Sequence, residues 1–134
     1  MSQATAETRY MSIRRAFEAE HARRDAIRHA REEAERRQQE EDLARAEQLH
    51  DLLAEDVHFL REKGLVLDRR RYTVSLNHDD YLIDAYFESG TASVRAADKR
   101  TATTATAAPR KQQTVNTVEE ALQVMAEYLA DETN

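Results

Sequence analysis

Residues 6–63 contain no glycine and no proline, and their larger apolar side chains gather into two clusters. The first is Tyr10, Ile13, Phe17 and Ile27, and the second is Leu43, Ala46, Leu49, Leu53, Val57 and Leu60. Between them runs REEAERRQQEED, residues 31–42, whose one apolar side chain is Ala34. The whole stretch is rich in Ala, Arg, Glu, Gln and Leu, all strong helix formers. The pattern predicts a single helix of about 55–58 residues, or two nearly continuous ones, spanning about 85 Å. Ser2 or Thr5 is the expected start cap, and Gly64 follows Arg61 and Lys63 where a C-cap belongs.

Beyond Gly64 the period changes. Tyr72, Val74 and Leu76 alternate, then Tyr81, Ile83, Ala85 and Phe87, then more weakly Ala92, Val94 and Ala96. Asn77-His78-Asp79-Asp80 and Ser89-Gly90 are turn signals between these runs. The expectation is a small antiparallel meander. Residues 97–116 are low-complexity Thr/Ala with the only proline, and read as a linker or long loop. Thr117 and Glu120 have capping-box spacing, and Val118, Ala121, Leu122, Met125, Tyr128 and Leu129 form an apolar stripe. A last helix over 118–131 follows, placed to cover one face of the sheet.

The fold class is therefore α+β. A long charged helix (1–64) forms an antiparallel coiled-coil dimer or a helical hairpin, and a small ββ(β)α lobe (65–134) follows it. A compact domain of about 100 residues has a radius of gyration near 13 Å, so such a helix must pair, fold back or stand in solvent. Pairing it with an antiparallel copy so that facing numbers sum to 70 sets Tyr10 against Leu60, Ile13 against Val57, Phe17 against Leu53, and Ile27 against Leu43. The dyad then sits at Glu35 in the polar stretch, which acts as a self-supported bridge across it. That stretch holds no Gly, Pro, Asn or Ser for a hairpin turn, and offers Glu32–Arg36 and Glu33–Arg37 as i,i+4 pairs. In this scheme Leu52 and Phe59 face the chain's own sheet, while Leu53, Val57 and Leu60 face the partner.

Charge sharpens the picture. Nine arginines oppose six acids over 9–37, whereas seven acids oppose Arg45 over 40–56. Those halves run against the helix macrodipole but complement each other in an antiparallel pair. A parallel pair would set like against like. Over the whole chain 34% of residues are charged and 6% aromatic, which suits an elongated or assembled protein better than a large core. The net charge of −6 gives no global nucleic-acid footprint. No cysteine is present, so disulfides, redox CxxC motifs and thiolate metal sites are excluded. No apolar run reaches membrane-spanning length and no signal core opens the chain, so a cytoplasmic protein is expected. The Ala/Arg/Thr-rich composition suits a high-GC bacterium or its phage.

Candidate chemistry is sparse. Glu18/His21 and Glu47/His50 have the Glu-x-x-His spacing of di-metal bundles, but their flanks are Ala, Arg and Gln, and surface charge is the plainer reading. The row His21, Asp25, His29 is equally weak, as is the pair His58 and Glu62. Phosphate loops, GxSxG and HExxH motifs are absent. No enzyme, cofactor, metal or small-molecule substrate is expected. The leading expectation is a dimeric protein-binding adaptor, scaffold or regulatory inhibitor. It would present two lobes on a rod and bind another protein through the open sheet face at Tyr81, Leu82 and Tyr86. The alternative is a nucleic-acid accessory protein using Arg69, Arg70 and Arg71 with the basic half-helix. Against it, an arginine run also keeps an edge strand soluble.

Overall fold

The computed structural model describes residues 12–100 and 109–133. Helix α1 runs Ile13–Ala54 and α2 Val57–Glu62. Strands β1 (Val66–Arg70), β2 (Thr73–Asn77), β3 (Tyr81–Glu88), β4 (Thr91–Asp98) and β5 (Pro109–Val115) follow, then α3 (Val118–Thr133). The class is α+β, with a long N-terminal helix, an antiparallel meander and a C-terminal helix. The chain divides into two compact units between Arg37 and Gln38. That division lies inside α1, and Ala46, Leu49 and Leu53 are buried with the sheet residues in one core.

In the first unit Ser12 starts α1, its Oγ accepting the Arg15 amide at 3.1 Å. The start caps read from the sequence, Ser2 and Thr5, lie outside the described residues, as does Tyr10. This part of the helix is laced by local ion pairs. Glu20 accepts from Arg23 and Arg24, Asp25 pairs with Arg28, and Glu33 pairs with Arg36. The two guanidinium groups hold the Glu20 carboxyl below its ordinary range. Glu32 pairs back to Arg28 rather than forward to Arg36 as expected.

In the second unit α1 ends at Ala54, and residues 55–56 turn before α2. The sequence gives little warning of this break, since no Gly or Pro marks it. Leu53 before the turn and Leu60 after it both join the core, at 7% and 3% exposure. Gly64 then terminates α2 in the left-handed region at φ 71°, with the Leu65 amide bonding to the Leu60 carbonyl at 2.9 Å. That is the six-to-one bond of a Schellman ending.

The sheet order is β1-β2-β3-β4-β5, every pair antiparallel. Two strands go beyond the expected three. β1 lacks clean alternation because it is an edge strand with Val66, Asp68 and Arg70 exposed. β5 occupies 109–115, which the Thr/Ala composition had suggested to be linker, and residues 101–108 of that stretch lie outside the described residues. One sheet face carries Val74, Leu76, Ile83, Ala85, Phe87, Val94 and Val115, which pack with Leu49, Ala121 and Met125 from the helices. α3 starts with the N-cap half of the expected capping box, the Glu120 amide donating to Thr117 Oγ1 at 3.1 Å.

Candidate docking surfaces

The second unit carries an apolar groove of about 320 Å³ between the end of α1, α2 and α3. Leu52, Phe59, Leu122 and Ala126 stand at its sides, and Leu53 and Leu60 reach it from the core. Glu55 and Asp56, from the turn that breaks the helix, sit at its edge. Phe59 is 45% exposed, whereas Leu53 and Leu60 are buried. This differs from the expectation for Leu53, Leu60 and Phe59, whereas Leu52 packs against the core and Val57 is exposed, as the sequence suggests. Leu53 and Leu60 belong to the chain's own core, so they do not form an open seam for a partner helix. Phe59, expected to cover the sheet, is open. The stripe Ala46, Leu49, Leu53 and Leu60 is taken up by the chain's own core, which leaves it unavailable as an open seam.

The other expected seam residues are placed differently. Ile13 is 87% and Phe17 65% exposed, and Ile27 and Val57 are also exposed. Leu43 is half-buried. Phe17 stacks on His21, ring centroids 5.7 Å apart.

The far face of the sheet holds Leu82, half-buried, and Tyr86, exposed. Tyr81 does not join them. It lies on the core face at 4% exposure, because it shares parity with Ile83, Ala85 and Phe87. Its ring stacks on His78 at 4.4 Å. Burial raises its phenol above the ordinary range. Beside Leu82 and Tyr86 is a buried carboxylate missed in the sequence. Asp84 accepts from Arg95 Nε at 2.9 Å and Nη2 at 2.8 Å, in the fork geometry of a bidentate pair. The signal was in the meander register, which sets the two residues directly opposite.

A second missed residue is Asp42, buried in the acidic half of α1. Its Oδ2 accepts the Ser89 amide at 2.9 Å and its Oδ1 the Gly90 amide at 3.0 Å. Ser89 and Gly90 both have positive φ, 52° and 85°, which makes the β3–β4 connection a two-residue type I′ hairpin. Asp42 therefore clamps the hairpin tip to α1. This is structural chemistry, since its oxygens are already occupied.

The three arginines do not make one patch. Arg69 lies toward Glu47, 3.8 Å away, and Arg70 turns to the other face beside Asp68. Arg71 occupies the left-handed turn position at φ 52°. Arg69 and Arg70 stand on the edge strand β1, where charge opposes strand addition.

Glu47 and His50 line a shallow polar cleft with Asp51, Asp68 and Arg69. His50 Nδ1 faces Asp51 at 3.5 Å. His21 faces Asp25 at 3.6 Å and His29 faces Glu32 at 4.0 Å. No group of three His, Asp or Glu side chains is placed to hold a metal ion among the described residues. Among those residues no helix is long and apolar enough to cross a membrane. Comparison with protein-family models, curated proteins and solved structures finds no match.

Proposed function

We propose that this chain is a non-enzymatic protein-binding accessory, an adaptor or regulatory protein of the bacterial or phage cytoplasm, that works as a self-associated pair. The observation that carries this reading is the apolar row on the charged part of α1. Ile13 and Phe17 lie four residues apart on one face, and Ile27 recurs fourteen residues after Ile13, close to four turns on. All three are exposed, on a helix where many of the charges pair locally. Isolated exposed apolar residues are ordinary, but large ones in register on one helix face mark an association surface. Tyr86 and Leu82 are the proposed contacts for a further protein.

Light scattering behind size exclusion tests the pairing. The expected result is a mass near twice 15.5 kDa that falls to the single-chain value in Phe17→Asp. A wild-type mass equal to one chain over the accessible concentration range refutes it. The nucleic-acid alternative is weaker, because Arg69 and Arg70 point to opposite sheet faces and each stands beside an acid. Phosphate binding would fall steeply between about 50 and 200 mM salt.

A further inference from the structure

We propose that the groove between α1, α2 and α3 receives the first turns of α1 from a second copy of this chain. Ile13 and Phe17 would be the apolar anchors, with Arg14 and Arg15 meeting Glu55 and Asp56. The inference rests on the self-association reading above and assigns it a surface.

Chemistry matches on both sides. The groove walls are Leu52, Phe59, Leu122 and Ala126, and its edge is acidic. The segment 13–17 offers an isoleucine and a phenylalanine one turn apart, flanked by two arginines. Arg14 pairs only with the exposed Glu18, and Arg15 has no ion-pair partner among the described residues. Glu55 and Asp56 likewise have no cationic partner among the described residues, so charge complementarity is unused on both faces. An amphipathic helix laying i and i+4 anchors into an apolar groove is a recurrent recognition mode.

The occupant is a second copy for a reason internal to the chain. The stretch 31–42 has no turn former, and helix α1 runs unbroken through it. We take the exchange to be reciprocal, each groove filled by the other's helix start, an arrangement that closes at two and that the measured mass tests. The sum-70 pairing sets Phe17 against Leu53 and sets Arg14 and Arg15 against Asp56 and Glu55, three residues that line this groove. The seam is therefore not helix on helix at that end. The buried Leu53 forms a floor, and α3 supplies a wall that pairing rules for two helices leave out.

The test uses the full chain at matched concentration, with far-UV circular dichroism and a thermal scan confirming each fold. Ala126→Arg places a charge in the groove at an exposed position, where folding is little affected. It is expected to weaken the dimer by roughly 100-fold, as is Phe17→Asp, the size of one central anchor lost. Glu55→Arg with Asp56→Arg is expected to weaken it too, and adding Arg14→Glu with Arg15→Glu in the same chain should restore it. A general structural defect would not be rescued by that exchange. If Phe17→Asp dissociates a wild-type dimer while Ala126→Arg leaves it intact, the groove assignment is overturned and self-association stands. If the wild-type chain is monomeric, the self-association reading itself fails. Because the chain has no native cysteine, Arg14→Cys with Glu55→Cys gives a clean link. A covalent dimer on oxidation supports the proposal, and a link within one chain, or none, overturns it.

Discussion

Replacing Asp42 by asparagine alters a side chain that is 4% exposed and keeps its shape. The aspartate uses both oxygens, one for the Ser89 amide and one for the Gly90 amide, and Gln38 and Arg45 also donate to Oδ1 at 3.2 and 3.3 Å. Asparagine has a single acceptor oxygen. Whichever way its amide is turned, an NH2 group faces one of the two hairpin amides, donor against donor. The remaining bond also loses its charge assistance. An unsatisfied donor costs about 1–3 kcal/mol, and a charged acceptor adds to that. Ser89 is exposed, so water can reach part of the site and the upper end of the range does not apply. The expected loss is about 2 kcal/mol for Asp42→Asn and a similar value for Asp42→Ala. For a chain of this size that is roughly 6–10 °C in midpoint temperature. Urea unfolding followed by far-UV circular dichroism reads it, at one protein concentration because self-association would shift the midpoint. Glu41→Gln, an exposed neighbour, should stay within about 0.5 kcal/mol of wild type. An Asp42→Asn midpoint indistinguishable from that control refutes the clamp.

Three other outcomes follow from the geometry. Arg95→Met strands the Asp84 carboxylate, whose side chain is 5% exposed, and should cost about 2 kcal/mol after discounting for the half-exposed arginine; Asp84→Val with Arg95→Val together should cost less than the single change, and additive costs would argue against the pair. Gly64→Ala places a Cβ in the left-handed region and 3.2 Å from His78, so a loss of about 1–2 kcal/mol is expected and a neutral result would contradict the Schellman ending; Asn at this position should be milder. Burial raises the phenols of Tyr81 and Tyr128, so the folded state holds their protons more tightly than the unfolded chain. The stability this gives is intact below the ordinary phenol value of 10.0 and is lost as pH rises above it. Phenolate absorbance should show late-titrating tyrosines, and all five ionising together would refute it.

The parts of the fold that show in the sequence are those where local preference and packing agree. The capping box at Thr117, the cap at Gly64 and the turn at Ser89-Gly90 are local chemistry, and each stands where its residues place it. The three inner strands β2, β3 and β4 alternate because one face of each is buried. Edge strands β1 and β5 lack that contrast. Lys111 and Gln113 fall on the core side of β5 by register with Ala96 and Val94, yet are exposed at the sheet margin. Periodicity cannot reveal a strand whose inward positions are polar. Tyr81 is different, since its alternation with Ile83, Ala85 and Phe87 already assigns it to the core face, and its place in the open-face set went against that parity. The groove was hidden for a third reason. It depends on a turn at 55–56 that no residue type announces, and on α3 meeting α2 across 60 residues of chain.

The charge pattern of α1 bears on what can specify an assembly. From composition, the excess arginine of 9–37 and excess acid of 40–56 suggested that pairing across an antiparallel dimer relieves the helix. The ion pairs weaken that inference for the first part of α1. Glu20, Asp25 and Glu33 each take arginine partners three or four residues away, so those charges are largely answered within one helix. Exposed pairs of this kind contribute a few tenths of a kcal/mol each, enough to support a solvated helix but too little to select a partner. Selection must then come from groups with no local answer. In the first unit these include Ile13, Phe17, Ile27 and Arg15, although Arg31, Glu35 and Arg37 also stand outside the ion pairs of the described residues; in the second, they include the walls of the groove with Glu55 and Asp56. The polar stretch 31–42 is not uniform in this respect: residues 31–37 are exposed, whereas Asp42 at its end is buried and tied to the β3–β4 hairpin, so its contribution is to the chain's own fold.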